Sequence, residues 1–284
     1  MRKVIDVILW GAGPHKAPCT PEFLKVKHLT KNYFETTKWI FLDMSRKAII
    51  IGGYEPDVVE HSVDNWCTFL SSLEGGAWND NEIQVLINRP TEQIRHVISE
   101  ERASHHDFVI VAFMGHGTYQ NDRTELAVNV NDDIITDIEL LEIANKQISL
   151  FDCCRPANTQ ITDVHFNINE QEQNRNNARA IYDGYITMCA DQQVKMYSAS
   201  IGEHAIGIRG VGNLFTNCIF DRISLEMAQN RNVTAIPVDA IGHQAANCTT
   251  YEAERRGYAQ HPQIIVTPNN SQPILPIAVR SLCG

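Results

Sequence analysis

The chain has 284 residues, of which 43% are hydrophobic, so it can form a substantial core in one large or two small domains. Its formal net charge of −10 disfavours nucleic acid and anionic membranes as main partners, because both bind clustered Lys and Arg. Basic protein partners are favoured instead, and no apolar run approaches the roughly 18 residues that span a bilayer.

Eight cysteines are scattered without a CxxC pair or metal-ligand spacing, so the sequence suggests neither a zinc site nor a disulfide framework. The opening MRKVIDVILW imitates a signal peptide, but Asp6 interrupts its apolar core and no small-residue cleavage site follows closely. We therefore predict a cytoplasmic protein. Residues 1–43 are predicted to be an N-terminal extension or a prodomain, with an upstream start as the alternative.

The first convincing element is the apolar run at residues 48–51, closed by two glycines, which predicts a buried parallel strand. PDVVEHSVDNWCTFLSSL follows, and its apolar residues have the spacing of one helical face. EIQVLI then predicts a strand, and TEQIRHVISEERAS a helix that Thr91 could cap. DFVIVAFMGHG predicts a third strand and ELAVNV a short strand or hairpin arm. TDIELLEIANK predicts a helix with a Thr136/Glu139 capping box, and ISLFD a fourth strand.

Residues 157–192 differ in composition, because ANTQITDVHFNINEQEQNRNNAR is rich in Asn and Gln and poor in apolar periodicity. We predict a long mobile loop here, with Arg175 and Arg179 in an exposed context. VKMYSAS then predicts a fifth strand, GNLFTNCIFDRISLEMA a helix, residues 238–248 a further helix and QIIV a last strand. The alternation predicts an α/β fold, with a parallel sheet between helices and right-handed crossovers.

Two reactive residues follow consecutive main strands: His116 follows FVIVAFMG and Cys154 follows ISLFDC. Consecutive strands are usually neighbours, and ligands gather at the carboxyl ends of parallel strands, so we expect both side chains at one rim. There the histidine could take the thiol proton, and the glycines flanking it would leave amides free for a substrate oxygen, as acyl transfer from a peptide requires. Each residue alone is more often structural, the histidine as a hydrogen-bonding residue and the cysteine as a small hydrophobe.

The sequence MGHG after one strand and DCCR after the next resembles the caspase-like cysteine peptidases, which include caspases, metacaspases, paracaspases and prokaryotic relatives. YSASIGEHA with GNLFTNCIF resembles the start of the family's small subunit, and HPQIIV its closing strand. The resemblance covers residues 44 to about 268. It implies a caspase-like three-layer α/β/α sandwich with a mostly parallel sheet of about six strands in residues 44–284. This domain would comprise a large-subunit-like part (44–156), a linker loop (157–192) and a small-subunit-like part (193–284).

The resemblance also implies roles for individual residues. Cys154 would be the nucleophile, His116 would assist it and protonate the leaving amine, and the backbone amides of Gly117 and Cys154 would hold the oxyanion. Cys153 occupies a variable position. Since neighbouring strand side chains point to opposite faces, only one of the two thiols should meet His116, and Cys153 is predicted to pack in the core.

Metacaspases and paracaspases, which cleave after Arg or Lys, carry aspartates at positions that match Asp152 and Asp64. Two carboxylates in a partly desolvated pocket select a cationic side chain. The resemblance adds Ser198 and Glu203 as candidate substrate-binding residues, whereas Gly207 stands where a further specificity residue is expected. The structural alternatives are a turn cap for Asp152 and a solvated helix position for Asp64.

Asp132 and Asp133 lie where some metacaspases bind calcium, but VNDDIITD equally predicts a strand end and a turn. No other cofactor is expected. The predicted function is a cysteine endopeptidase that cleaves protein or peptide substrates after Arg or Lys, with self-processing in the linker loop and dimerisation as further expectations. The competing hypotheses are a catalytically silent signalling or scaffold module that binds protein partners, and another thiol acyl hydrolase.

Overall fold

The computed structural model describes residues 44–155, 172–230, 234–268 and 271–280. The predicted N-terminal extension, residues 1–43, lies outside the described residues. So does the part of the predicted linker loop that precedes residue 172.

The described chain alternates strands with helices. The strands are β1 (Arg46–Gly52), β2 (Ile83–Ile87), β3 (Phe108–Gln120), β4 (Arg123–Ala127), β5 (Ile134–Thr136), β6 (Lys146–Cys153), β7 (Gln192–Tyr197), β8 (Gly207–Ile208), β9 (Gly212–Asn213), β10 (Ala235–Pro237), β11 (Gln263–Thr267) and β12 (Pro276–Val279). The helices are α1 (His61–Ser71), α2 (Thr91–Ala103), α3 (Glu172–Met188), α4 (Leu214–Gln229) and α5 (Val238–Arg255). A π-helical turn, Pro56–Glu60, precedes α1, and short 3₁₀ turns lie at Asp80–Glu82 and Asp137–Leu140.

The central sheet has the strand order β11-β7-β6-β3-β1-β2. Every neighbouring pair on this path is parallel except β7 and β11, so the only antiparallel member is an edge strand. β4 pairs antiparallel with the carboxyl-terminal half of β3, and β5 pairs antiparallel with β4. The prediction of a mostly parallel sheet of about six strands is therefore confirmed, and such a sheet must be covered on both faces.

Two apolar clusters cover the two faces of the sheet. Strand alternation divides β6 between them: Ile148 and Leu150 pack with α1, α3, α4 and α5, whereas Phe151 and Cys153 pack with α2. The molecule is thus an α/β/α sandwich, as predicted. None of the described helices is both long and apolar enough to cross a membrane.

The helix predicted for TDIELLEIANK is wrong, although its capping box forms. The Thr136 amide donates to Glu139 Oε1 at 2.9 Å, but only the 3₁₀ turn Asp137–Leu140 follows. The Gln147 side chain accepts hydrogen bonds from the amides at 143 and 144 and donates to the carbonyl at 140. These backbone groups are therefore satisfied without a helical turn.

The predicted mobile loop at residues 157–192 is wrong over its second half, where α3 forms. Ala178, Tyr182 and Ile186 recur every fourth residue and are fully buried against the core. Their burial outweighs the weak helical propensity of the Asn- and Gln-rich sequence around them. Two smaller differences are that Thr91 is the first residue of α2 rather than its cap, and that α5 runs to Arg255.

Candidate active site

The carboxyl ends of β3 and β6 carry the two predicted catalytic residues. These strands are parallel neighbours, and Gly115 pairs with Cys153 in their register. His116 directly follows Gly115 and Cys154 directly follows Cys153, so the two residues lie at the same rim of the sheet. Met114 and Leu150 belong to the apolar cluster on the face that α1 and α4 cover. Because every second side chain of a strand points to the same face, the side chains of His116 and Cys154 also lie on that face.

His116 has a carboxylate beside it. Its Nε2 lies 3.5 Å from Glu55 Oε2, and its side chain is 46% exposed. Glu55 lies in the segment between β1 and α1, and no sequence motif marks it. No hydrogen bond joins His116 to Cys154 among the residues that the structure describes.

The Cys154 thiol is partly buried against the backbone of Ala205. Its Sγ lies 3.4 Å from the Ala205 nitrogen and 3.5 Å from the Ala205 oxygen. Burial raises the pKa of the Cys154 thiol, and the charges of Asp152 and Glu55 raise it further, while the hydrogen bond from Ala205 acts in the opposite direction. The thiol is therefore neutral at rest and needs a base before it can attack.

Cys153 occupies the opposite face of β6, as strand alternation predicts. It is 1% exposed and packs in the cluster that contains Phe151 and the apolar face of α2. Burial raises the pKa of its thiol well above the ordinary value. A thiol in this position is a core residue.

Gly117 comes into close contact with the two cysteines. A Cβ at this position would lie 2.7 Å from Cys153 Sγ and 2.7 Å from the Cys154 oxygen, so a larger residue does not fit. In β3, the Met114 carbonyl points toward β1, where it accepts a hydrogen bond from Gly53 N at 2.8 Å. Since backbone groups alternate sides along a strand, the Gly117 amide faces the β6 side, where Cys154 lies.

Asp152 is a completely buried acid, two residues before Cys154 and on the same face. Its Oδ2 accepts from Thr216 N at 3.0 Å and from Thr216 Oγ1 at 2.6 Å. Its Oδ1 makes no hydrogen bond within the described residues. Burial raises the pKa of this carboxyl, and the nearby Thr216 and Ser198 hydroxyls and Asn213 amide partly oppose that shift. A buried carboxylate with one oxygen unused is suited to accept a cation.

Asn213 and Thr216, at the junction of β9 and α4, support Asp152 and were not predicted. Asn213 Nδ2 donates to the Asp152 carbonyl at 2.7 Å, and the Asn213 backbone amide donates to Ser62 Oγ at 2.8 Å. The usable signal in GNLFTNCIF was the pair of polar residues at the start of an otherwise apolar helix. Ser198, which was predicted, is fully buried and donates to the Cys153 carbonyl at 3.1 Å.

The other two predicted acids have different surroundings. Asp64 is exposed on α1 and forms no hydrogen bond or ion pair with the described part of the chain, so the structure does not join it to Asp152. Glu203 accepts from the amides of Ser200 and His261 at 3.2 and 2.7 Å, and its Oε1 lies 2.6 Å from His261 Nδ1. Although burial opposes the shift, the hydrogen bonds from His261 and Ser200 lower the Glu203 pKa.

The predicted calcium residues form a turn. Asp133 Oδ2 accepts from Asn129 Nδ2 at 2.8 Å, and Asp132 is exposed with a φ of 54°. In the described ranges, no group of three or more His, Cys, Asp and Glu side chains could hold a metal ion.

Arg155 anchors the chain immediately after the candidate nucleophile. Its Nη1 donates to Gln263 Oε1 at 3.0 Å and its Nε to Thr124 Oγ1 at 3.2 Å, and its guanidinium lies 4.2 Å from the centre of the Tyr197 ring. These contacts join the end of β6 to β4, β7 and β11. They hold the backbone of Cys154 in place.

This sheet between two helical layers, with His116 and Cys154 at the ends of adjacent strands, defines a caspase-like α/β/α protein. The family model described as Caspase domain matches residues 46–266, so the chain belongs to the caspase-domain family of cysteine peptidases.

Similar solved structures include caspase-1 from Spodoptera frugiperda, which is 14% identical with a TM-score of 0.51 over 78% of this chain and 86% of that chain. They also include the protein GSU0716 from Geobacter sulfurreducens, which is 10% identical with a TM-score of 0.45 over 78% of this chain and 93% of that chain. At 14% identity, the likeness to the caspase-1 structure concerns the fold alone. No curated protein is significantly similar in sequence.

Proposed function

We propose that this chain is a cysteine endopeptidase that hydrolyses peptide bonds after Arg or Lys, with Cys154 as nucleophile and His116 as general base and acid. The observation that carries the basic preference is the unused Oδ1 of the buried Asp152, on the face of β6 that also bears Cys154. A substrate guanidinium or ammonium group at this oxygen would gain a charge-assisted hydrogen bond, and a substrate carboxylate would be repelled.

The chemistry begins from a neutral thiol, because burial raises the pKa of Cys154. As Sγ attacks the substrate carbonyl carbon, the thiol proton moves to His116 and a C–S bond forms. The amides of Gly117 and Cys154 would stabilise the oxyanion. The C–N bond then breaks as His116 protonates the leaving amine. Water, deprotonated by His116, hydrolyses the thioester and restores the thiol.

Glu55 acts as a positioning residue in this scheme. Its carboxylate faces His116 Nε2 at 3.5 Å, which favours the tautomer that carries its proton on Nε2. The other ring nitrogen, Nδ1, is then the one that exchanges a proton with Cys154 and the leaving amine. The loop between β1 and α1 would thereby orient the imidazole.

Further substrate contacts belong to the same proposal. Ser198 is buried next to the Cys153 carbonyl, and its hydroxyl lowers the pKa of Asp152, which supports a place in the same pocket. Asp64 and Glu203 are proposed as outer carboxylates, the first exposed on α1 and the second held by His261. They would add to the negative charge that an approaching basic side chain meets.

Self-processing was expected at Arg175 or Arg179, but both arginines lie in α3. Arg175 donates to the carbonyls of Ser71 and Trp78, and Arg179 forms an ion pair with Glu82. Residues 156–171 contain no Arg or Lys. We therefore propose that the chain works without cleavage of this linker.

Calcium dependence, dimerisation and a cytoplasmic location remain separate proposals. The calcium proposal rests on Asp132 and Asp133 alone. Assays of peptide cleavage with added calcium and with a chelator would test it, and equal rates in both would reject it. The molecular mass in solution would test dimerisation.

The test of the proposed specificity is a positional peptide library. We expect cleavage after Arg and Lys, and Asp152→Asn should lower kcat/KM for Arg peptides by about 30-fold or more, the usual effect of removing one partner of a buried charge pair. Asp64→Asn is the matched control, because an exposed carboxylate should change this value by less than about tenfold. Cleavage after Asp, or an unchanged preference in Asp152→Asn, would reject the basic pocket.

Two observations favour a different function. No hydrogen bond joins His116 to Cys154 across the described residues, and the thiol is neutral at rest. A catalytically silent caspase-homologous module that binds protein partners would have both features. Such a module should fail to cleave every peptide in the library, and Cys154→Ala should leave its partner binding unchanged.

A further inference from the structure

Two thiols meet on the side of the molecule formed by α4 and α5, outside the candidate active site. Cys218 on α4 and Cys248 on α5 have their Sγ atoms 2.9 Å apart. The two helices pack against each other. Cys218 is 2% exposed, whereas Cys248 is only partly buried. An oxidant can thus reach the Cys248 sulfur, while the Cys218 sulfur lies buried within contact distance of it.

The surroundings make the two sulfurs chemically unequal. A hydrogen bond from Cys218 lowers the pKa of Cys248; burial opposes this shift, and the Arg222 charge supports it. Arg222 Nη2 lies 3.8 Å from Cys248 Sγ. The same hydrogen bond, together with burial, raises the pKa of Cys218. Reactive cysteines are typically partly exposed and close to a cation, which describes Cys248.

We propose that Cys218 and Cys248 are a redox pair, in which a hydroperoxide oxidises Cys248 and Cys218 then closes a disulfide between α4 and α5. In the first step the Cys248 sulfur attacks the O–O bond, which breaks to give a sulfenic acid and an alcohol, or water if the oxidant is hydrogen peroxide. In the second step the Cys218 sulfur attacks Cys248, the S–O bond breaks and water leaves. Two thiols are oxidised and one hydroperoxide is reduced.

The other described thiols lack this arrangement. Burial raises the pKa of Cys67 to about 11, and the charge of Asp64 adds to the shift. Cys189, which directly follows α3, donates to the carbonyl of Tyr185 in that helix. Cys67 is therefore a suitable control, since it is also partly buried and helical.

The test is oxidation of the full-length chain by tert-butyl hydroperoxide in a Cys154→Ala background, which removes the candidate nucleophile. We expect the intact mass to fall by two hydrogen atoms, and non-reducing peptide mapping to yield a Cys218–Cys248 linked peptide. Cys248→Ser should abolish the link, and Cys67→Ser should leave it unchanged. A mapped link that involves other cysteines, or two free thiols at 218 and 248 after oxidation, would overturn the proposal.

A second measurement separates reactivity from simple proximity. Iodoacetamide should label Cys248 roughly tenfold or more faster than Cys67 at neutral pH, because a larger fraction of Cys248 is thiolate. Cys218→Ala should slow the labelling of Cys248, since it removes the hydrogen-bond donor that lowers the Cys248 pKa. Equal labelling rates for Cys67 and Cys248 in the reduced chain would contradict the assigned roles.

Discussion

Asp152 has an ionisable carboxyl group at a place where burial disfavours its charged form. It is fully buried, its Oδ2 accepts two hydrogen bonds from Thr216, and its Oδ1 accepts none within the described residues. An acid buried in this way weakens the folded state unless a cation joins it. Residues that are kept at such a cost are often functional.

The pH dependence of stability should reveal this cost. The pKa of Asp152 is raised on folding, so its penalty is absent below the unfolded value of about 4, grows as the pH rises from there to the folded value, and is constant above it. We expect Asp152→Asn to unfold at a higher temperature than the wild type at pH 7–8, and this advantage to shrink toward pH 4–5. Thermal unfolding across this range is the measurement. A less stable variant whose deficit shrinks on acidification would contradict the account.

Among individual residues, the sequence was sufficient to predict that His116, Cys154 and Asp152 lie where two neighbouring strands end, because each follows a continuous apolar run. It was insufficient for Glu55 and Thr216. Thr216 contacts Asp152 across 64 positions of the chain, and only the folded chain brings them together. Supporting residues of this kind carry no local motif.

At the element scale, buried strands were predictable because their apolar runs are continuous, as in β1, β3 and β6. α3 was missed because Asn, Gln and Arg dominate its first two turns, ahead of its buried positions. The turn after β5 was misread because the Gln147 side chain replaces the hydrogen bonds of a helix. In both cases a tertiary contact outweighed the local sequence signal.

Limited proteolysis with trypsin tests the placement of α3. Arg175 and Arg179 are helical and hydrogen bonded, and the Arg179 side chain is 19% exposed, whereas the Arg209 side chain is 76% exposed in the turn between β8 and β9. We expect cleavage at Arg209 to be roughly tenfold or more faster than at either α3 arginine, because cleavage requires local opening.

The same arginines provide a test without added protease. On incubation, the wild type and Cys154→Ala should both remain single bands. A fragment that begins after Arg175 or Arg179, and that forms only in the wild type, would show that α3 opens for self-processing.

At the scale of the whole molecule, the sequence indicated alternating strands and helices but not the order β11-β7-β6-β3-β1-β2. The important feature is that β3 and β6 are neighbours, although β4 and β5 intervene in the chain. This adjacency brings His116 and Cys154 to one rim, and the edge position of β11 lets Gln263 hold Arg155. The fold thus assembles the site from distant segments.

The central claim is that His116 activates Cys154 in a site that favours basic side chains, and covalent labelling tests it most directly. An arginine-containing peptidyl acyloxymethyl ketone should label Cys154 once per chain, in the wild type and equally in Cys153→Ala. His116→Ala should slow labelling by about 100-fold or more, and an aspartate-containing probe should react poorly. Labelling that is absent from a folded wild type, or that is unchanged by His116→Ala, would contradict the account.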